Sequence, residues 1–251
     1  MKLVKIWVLL CFIFSCGCAF AQKQFKAFLV TKTMGWQHAS GHYGVEALKK
    51  MADRNNFELV IQEDHNAIND KNLEQYQVII FLNTTGNILD SAQQKAIERF
   101  IQKGKGFVGI HSASDTEYDW PWYNELVGRM FYIHPVIQTA RLQVIDENFP
   151  GMKTFKTGQL WTDEWYQFGP EKSNNLKYIL SVDEKTFNPK VQWGEKKAEG
   201  MGSFHPISWY HNFDGGRAFY TALGHLPAIY TDQQFLDHLF GGIYWAALGK
   251  L

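Results

Sequence analysis

The sequence predicts an α/β fold built on a doubly wound parallel sheet, with β insertions in its C-terminal half. Three observations carry that expectation. Four short apolar runs alternate with helical patterns between residues 25 and 110, the order of a sheet whose strands are joined by helical crossovers. The third run, 76–82 (YQVIIFL), is almost wholly apolar, as a strand covered on both faces requires. Beyond Gly128 the rhythm changes to alternating, half-buried strand patterns without a Pro/Ser linker or a repeat.

The elements follow in order. Residues 25–31 (FKAFLVT) read as the first strand. A loop rich in Gly, Trp and His spans 33–41, and Val45, Leu48 and Met51 then recur at helical spacing. Residues 57–62 and 76–82 read as the next strands. Asp90 is an N-cap with Gln93 three residues on, Ile97, Phe100 and Ile101 form the apolar stripe of that helix, and Gly104 ends it. The fourth strand, 106–110 (GFVGI), enters His111 with no spacer. Later strands are expected at 137–145, 161–168, 178–182, 207–211 and 217–223, and a last helix at 232–248.

The N-terminus has the order of a targeting segment. Lys2 and Lys5 precede an apolar run from 6 to 14, and Ala19-Phe20-Ala21 supplies an A-x-A cleavage site. The expected organisation is a signal peptide over 1–21 and one α/β domain over 22–251. Lipidation is the alternative, through Cys16 in a loose lipobox-like run or through Cys18. Either form is exported, and the ordinary cleaved form is periplasmic. All three cysteines fall in 1–21, so a cleaved chain has no thiol nucleophile, thiolate metal site or disulfide. Losing Lys2 and Lys5 from 25 basic residues leaves 23 against 25 acidic ones. That balance lacks the basic footprint of a nucleic-acid binder, and no membrane span is expected in the mature chain.

Aromatics make up 16% of the chain, and there are 9 histidines. In a doubly wound sheet, ligands sit beyond the carboxyl ends of the strands, so histidines beside those ends are the candidates for chemistry. His111 occupies the place of a nucleophile elbow, where a tight turn presents a side chain at the top of the sheet. Ser112 is adjacent, but the run is not G-x-S-x-G. His38 lies in the first such loop, and His42 and Glu46 follow at i+4 spacing. His134 and His205 each precede proline, which restricts them to extended backbone, and His225 follows Gly224 after an apolar strand. Asp163 and Glu164 form a carboxylate pair between Trp161 and Trp165, and Asp115 stands near enough to orient an imidazole. Imidazole and carboxylate donors suit Zn, Mn or Fe, so a divalent metal is a candidate cofactor, although no H-E-x-x-H spacing is present.

The run 106–115 (GFVGIHSASD) resembles the signature of ThuA-like, or trehalose-utilisation, proteins. Further matches are 126–128 (LVG) with His134-Pro135, 162–166 (TDEWY), 205–209 (HPISW) and 216–225 (GRAFYTALGH), together with the 31–40 loop that holds His38. The resemblance implies a class I glutamine amidotransferase-like, flavodoxin-like sheet. Amidotransferases carry a catalytic cysteine at the elbow; His111 stands there, so glutaminase activity is not carried over. The resemblance further implies a carbohydrate ligand, including disaccharides processed through 3-keto sugars, and acid/base isomerisation or related chemistry. On that reading His111 and His225 are the proton-transfer pair with Asp115 beside them. His38, Ser112, His134, Asp163, Glu164, Trp165 and His205 orient groups or bind hydroxyls, and Trp209 offers a stacking face. The alternatives are a non-catalytic carbohydrate-binding protein and a hydrolase of glycosides or esters using Ser112 or an activated water.

Overall fold

The computed structural model describes residues 22–62 and 65–251. The expected leader at 1–21, with Cys16 and Cys18, lies outside the described residues. Strand β1 (Lys26–Val30) leads into α1 (Gly41–Arg54) and β2 (Glu58–Ile61). A short helix, α2 (Asp70–Leu73), precedes β3 (Val78–Leu82), and α3 (Ser91–Gln102) precedes β4 (Gly106–Ile110). After a 3-10 turn at His111–Asp115 come α4 (Pro121–Val127), β5 (Phe131–Ile133), β6 (Gln138–Val144), β7 (Leu160–Asp163), β8 (Gln167–Phe168) and β9 (Lys177–Asp183). Strands β10 (Val191–Trp193) and β11 (Lys196–Ala198) form one hairpin and β12 (His205–Phe213) and β13 (Gly216–Thr221) another, followed by α5 (Gln233–Leu248).

Nine strands form one sheet in the order β2-β1-β3-β4-β13-β12-β9-β6-β7. The first five pair in parallel, and the remaining pairs are antiparallel. The later strands therefore extend the same sheet, with β13 as the seam. Strands β3 and β4 are buried along their whole length, whereas β6 alternates, burying Ala140 and Leu142. Successive residues of a strand face opposite sides, and both sides of β4 are covered. A Cβ at Gly106 would run into the Ala246 carbonyl of α5, while the Phe107 ring meets Tyr123 of α4 at 5.7 Å. The expected capping box closes α3: Asp90 accepts from the Gln93 amide at 2.9 Å and its own amide donates to Gln93 at 3.0 Å. Because β1, β3, β4 and β13 run parallel, the loops after them gather at one edge.

One buried group sets an acid limit on stability. His238 of α5 is fully enclosed, and burial pushes its pKa from 6.5 down to about 3. It is neutral in the fold, but it takes up a proton below its ordinary pKa once the chain unfolds. The unfolded state then binds more protons, so stability falls as pH drops from about 6.5 toward 3, by up to about 1.4 kcal/mol per pH unit. Urea unfolding at about pH 7.5 and about pH 5 should show His238→Gln losing about 2 kcal/mol less than wild type between the two. Equal losses would show that His238 is not the acid-sensitive group.

Candidate functional site

The residue after β4 adopts a left-handed backbone, with φ of 51° at His111. This is the turn expected at that position, since histidine enters the region more readily than bulkier or branched residues. Its carbonyl is held by the Tyr220 hydroxyl at 2.7 Å. The imidazole is fully buried, so the turn does not present it to solvent as expected. Its Nδ1 lies 2.8 Å from the Ala222 carbonyl, which can only accept, so Nδ1 carries a hydrogen and Nε2 is the ring atom turned toward the cluster. Around Nε2 stand Tyr166 Oη at 3.1 Å, His225 Nδ1 at 3.2 Å and Glu164 Oε2 at 3.5 Å.

Glu164 reaches this point because β7 stops at Asp163 and the strand path resumes only at Gln167. The fully buried Asp163 carboxylate organises the break. Its Oδ2 accepts from the Gly224 amide at 2.9 Å, and its Oδ1 accepts from the amides of His225 at 3.2 Å and Glu164 at 3.0 Å. One carboxylate thus fixes the segments bearing both Glu164 and His225. Burial pushes the Asp163 pKa up, with His111 and the Gly224 amide opposing.

Glu164 Oε2 is 3.0 Å from His225 Nδ1, and Oε1 is 3.2 Å from His134 Nδ1. Burial disfavours the carboxylate charge, but His111 and His225 outweigh it and hold the pKa below the usual carboxylate range. Burial likewise opposes charge on His225, yet Glu164 raises its pKa. Burial lowers His134 despite Glu164. His38 packs edge-on to His111 and His225 at centroid distances of 4.7 and 5.4 Å. Burial, with His111 and His225, pushes its pKa down to about 3.

This cluster floors a cavity of about 430 Å³, within the size range of small-molecule sites. His38, Glu164 and His225 supply its polar end, and Phe131, Tyr166 and Trp193 its aromatic walls. His134 and Asp115 also open onto it, and Trp36, 72% exposed, stands at the rim. Burial raises the Asp115 pKa, opposed by Tyr118, whose hydroxyl donates to it at 2.7 Å.

The structure therefore brings His38, Asp115, His134, Glu164 and His225 to one cavity. His111, Ser112 and Asp163 lie directly behind it, with Ser112 Oγ 3.3 Å from His38 Nδ1. Three expected ligand contacts are corrected. Trp209 is fully buried between Phe168 and Tyr220, its Nε1 donating to the Val127 carbonyl at 2.7 Å, so it offers no sugar a face. Trp165 is buried with its Nε1 on the Gln138 carbonyl at 2.9 Å. His205 is enclosed between Glu184 Oε1 at 2.6 Å and the Tyr166 carbonyl at 2.8 Å, and it supports the Tyr166 segment from behind. His42 and Glu46 lie on α1, which begins after His38, and Glu46 pairs with Lys49 at 2.7 Å. They line a separate groove between α1 and α5. Phe131, Tyr166 and Trp193 were not singled out from sequence. Tyr166 sits inside the 162–166 run, the one signal that pointed to it.

Fold and site together define an α/β protein with a cavity of small-molecule size at the carboxyl edge of its parallel strands. The chain belongs to the ThuA family, described as trehalose utilisation, whose model matches residues 26–246. Its structure is similar to that of a ThuA-like protein from Bacteroides uniformis, with 26% identity, a TM-score of 0.73, and 90% of this chain and 92% of that one covered. A ThuA-like protein from Parabacteroides merdae shares the fold at 19% identity and a TM-score of 0.69, covering 91% of this chain and 92% of that one. A β-galactosidase from Rahnella shares it at 14% identity and a TM-score of 0.55, covering 88% of this chain but 31% of that one. No curated protein matches the sequence. No helix among the described residues is long and apolar enough to cross a membrane.

Proposed function

We propose that the protein is an exported carbohydrate-utilisation enzyme that isomerises a 3-keto-glycoside, or a disaccharide carrying that group, by proton transfer beside the ketone. The observation that carries this reading is the convergence of Glu164, His38 and His225 at the polar end of an aromatic-walled cavity, with His111 directly behind them. A keto group acidifies the neighbouring C–H bond. Removal of that proton leaves an enolate, which needs an electrophilic partner at its oxygen. The His225 end of the cavity supplies that partner. Asp115 and His134, on the wall, take and return the carbon-bound proton. His111 is buried and positions His225 and Glu164, so it is not itself the proton carrier. Phe131, Tyr166 and Trp193, with Trp36 at the rim, offer faces to the C–H side of a pyranose. Export rests on the charged, apolar and A-x-A segments of residues 1–21. The finer fold assignment, to the flavodoxin-like, class I glutamine amidotransferase-like sheets, rests on the parallel strand set and the elbow at His111.

The test is incubation with paired glycosides and 3-keto-glycosides, products being read by NMR. Conversion of keto substrates alone is expected, and Asp115→Asn should lower kcat by about 100-fold with KM within a few-fold. Saturable binding without conversion would replace the reading with a carbohydrate-binding protein. Release of a free sugar with covalent labelling of Ser112 would replace it with a hydrolase.

A further inference from the structure

We infer that His38, His111, Glu164 and His225 bind one divalent transition ion of the zinc class. Each of the four offers one ligand atom, and these atoms all lie within 4.8 Å of one another. The three with defined separations, His111 Nε2, His225 Nδ1 and Glu164 Oε2, form a triangle with sides of 3.0, 3.2 and 3.5 Å. Ligands at about 2.0–2.1 Å from a tetrahedral ion stand roughly 3.3 Å apart, so the triangle has the size of one face of such a site.

A second observation points the same way. Glu164 is 5% exposed, and its Oε2 is a buried oxygen with no hydrogen-bond partner. Two imidazole nitrogens stand beside it at 3.0 and 3.5 Å as ion-pair neighbours. Such an oxygen is costly to bury. A cation shared with the two nitrogens removes that cost.

The surroundings fit a ligand set held from behind. The Ala222 carbonyl fixes the His111 tautomer so that Nε2 faces inward, His134 stands at Glu164 Oε1, and Ser112 Oγ holds His38 Nδ1. Outer partners of this kind set the orientation of ligating imidazoles and carboxylates. Among the described residues, no lysine or arginine lines the cavity, so no fixed cation of that lining answers the Glu164 charge. Three imidazoles and one carboxylate suit Zn and neighbouring first-row ions rather than Ca or Mg. The ligands come from four separate loops, which is why no local spacing motif announces them.

The site stands independently of the isomerase reading, and it would deepen that reading by giving the keto oxygen a Lewis acid. The test uses untagged mature protein stripped with chelator and titrated with zinc by calorimetry, then loaded with cobalt(II) for visible spectroscopy. Expected are one ion per chain and the intense absorption of four-coordinate cobalt. Glu164→Gln and His225→Ala should each weaken binding by at least about 100-fold, circular dichroism showing both to be folded. His42→Ala, at an exposed position of α1, should bind as wild type. Binding well below one ion per chain, or variants that bind as tightly as wild type, would overturn the site. Stoichiometric binding without sugar turnover would leave the metal site standing and remove the enzyme. Full turnover by metal-free protein would leave the enzyme standing and remove the ion's Lewis-acid role in it.

Discussion

Replacing Glu164 by glutamine is expected to lower kcat on a keto-sugar substrate by about 10²–10³-fold, the scale seen when a preorganised electrostatic partner is removed. The side chain is isosteric, so the cavity keeps its shape. What changes is the charge. Oε2 lies within 3.5 Å of two imidazole nitrogens, and Oε1 stands 3.2 Å from a third. Glutamine offers only one acceptor oxygen and no charge, and with its NH₂ group on the Oε1 side it would confront the Nδ1–H of His134, which donates to the Pro135 carbonyl at 2.8 Å. The loss should appear in kcat with KM within a few-fold, because the aromatic walls that hold the sugar are untouched. Steady-state kinetics on folded variant check this, and a variant retaining more than about a third of wild-type kcat would remove Glu164 from the reaction.

Asp163→Ala is expected to combine a stability loss with a positioning loss. Truncation strips the acceptor from three amides, those of Gly224, His225 and Glu164. Leaving a buried donor unsatisfied costs about 1–3 kcal/mol, so a loss of about 3–5 kcal/mol in urea unfolding is expected. Gly224 has φ of 125°, a conformation open in practice only to glycine, and the Asp163 carboxylate is what holds its amide there. Without that anchor His225 drifts from Glu164, and kcat should fall by about 100-fold even in the folded fraction. Asp163→Asn keeps one acceptor oxygen but turns an NH₂ group toward a backbone N–H, so its effects should be intermediate. A merely structural role would lower stability in both variants and leave kcat per folded molecule unchanged.

The parallel half of the sheet was legible because its signals are local. The 106–110 strand, the Asp90–Gln93 capping box and the last helix each follow from composition within a few residues, and each lies where expected within a residue or two. The break between β7 and β8 was not legible. Residues 161–168 read as one strand, since nothing local shows that the Asp163 carboxylate will bond across to Gly224 and His225. That tertiary contact turns the chain and sends Glu164 inward. Helix α4 and the β10–β11 hairpin are short and were also not expected, so Trp193 could not be placed. The site was half legible for the same reason. Position after a strand pointed to His38, His111 and His225. Aromatic content, however, cannot separate Trp209, whose indole closes the core, from Trp36, which stands at the rim.

The central claim is that this cluster moves a proton at carbon beside a sugar ketone. The most direct measurement is NMR of a 3-keto-glycoside incubated with the protein in deuterium oxide. Deuterium is expected at the carbon adjacent to the ketone with wild type, and incorporation slowed by about 10²–10³-fold with Glu164→Gln. Binding of the sugar with no deuterium above the protein-free control, or equal incorporation by both proteins, would contradict it.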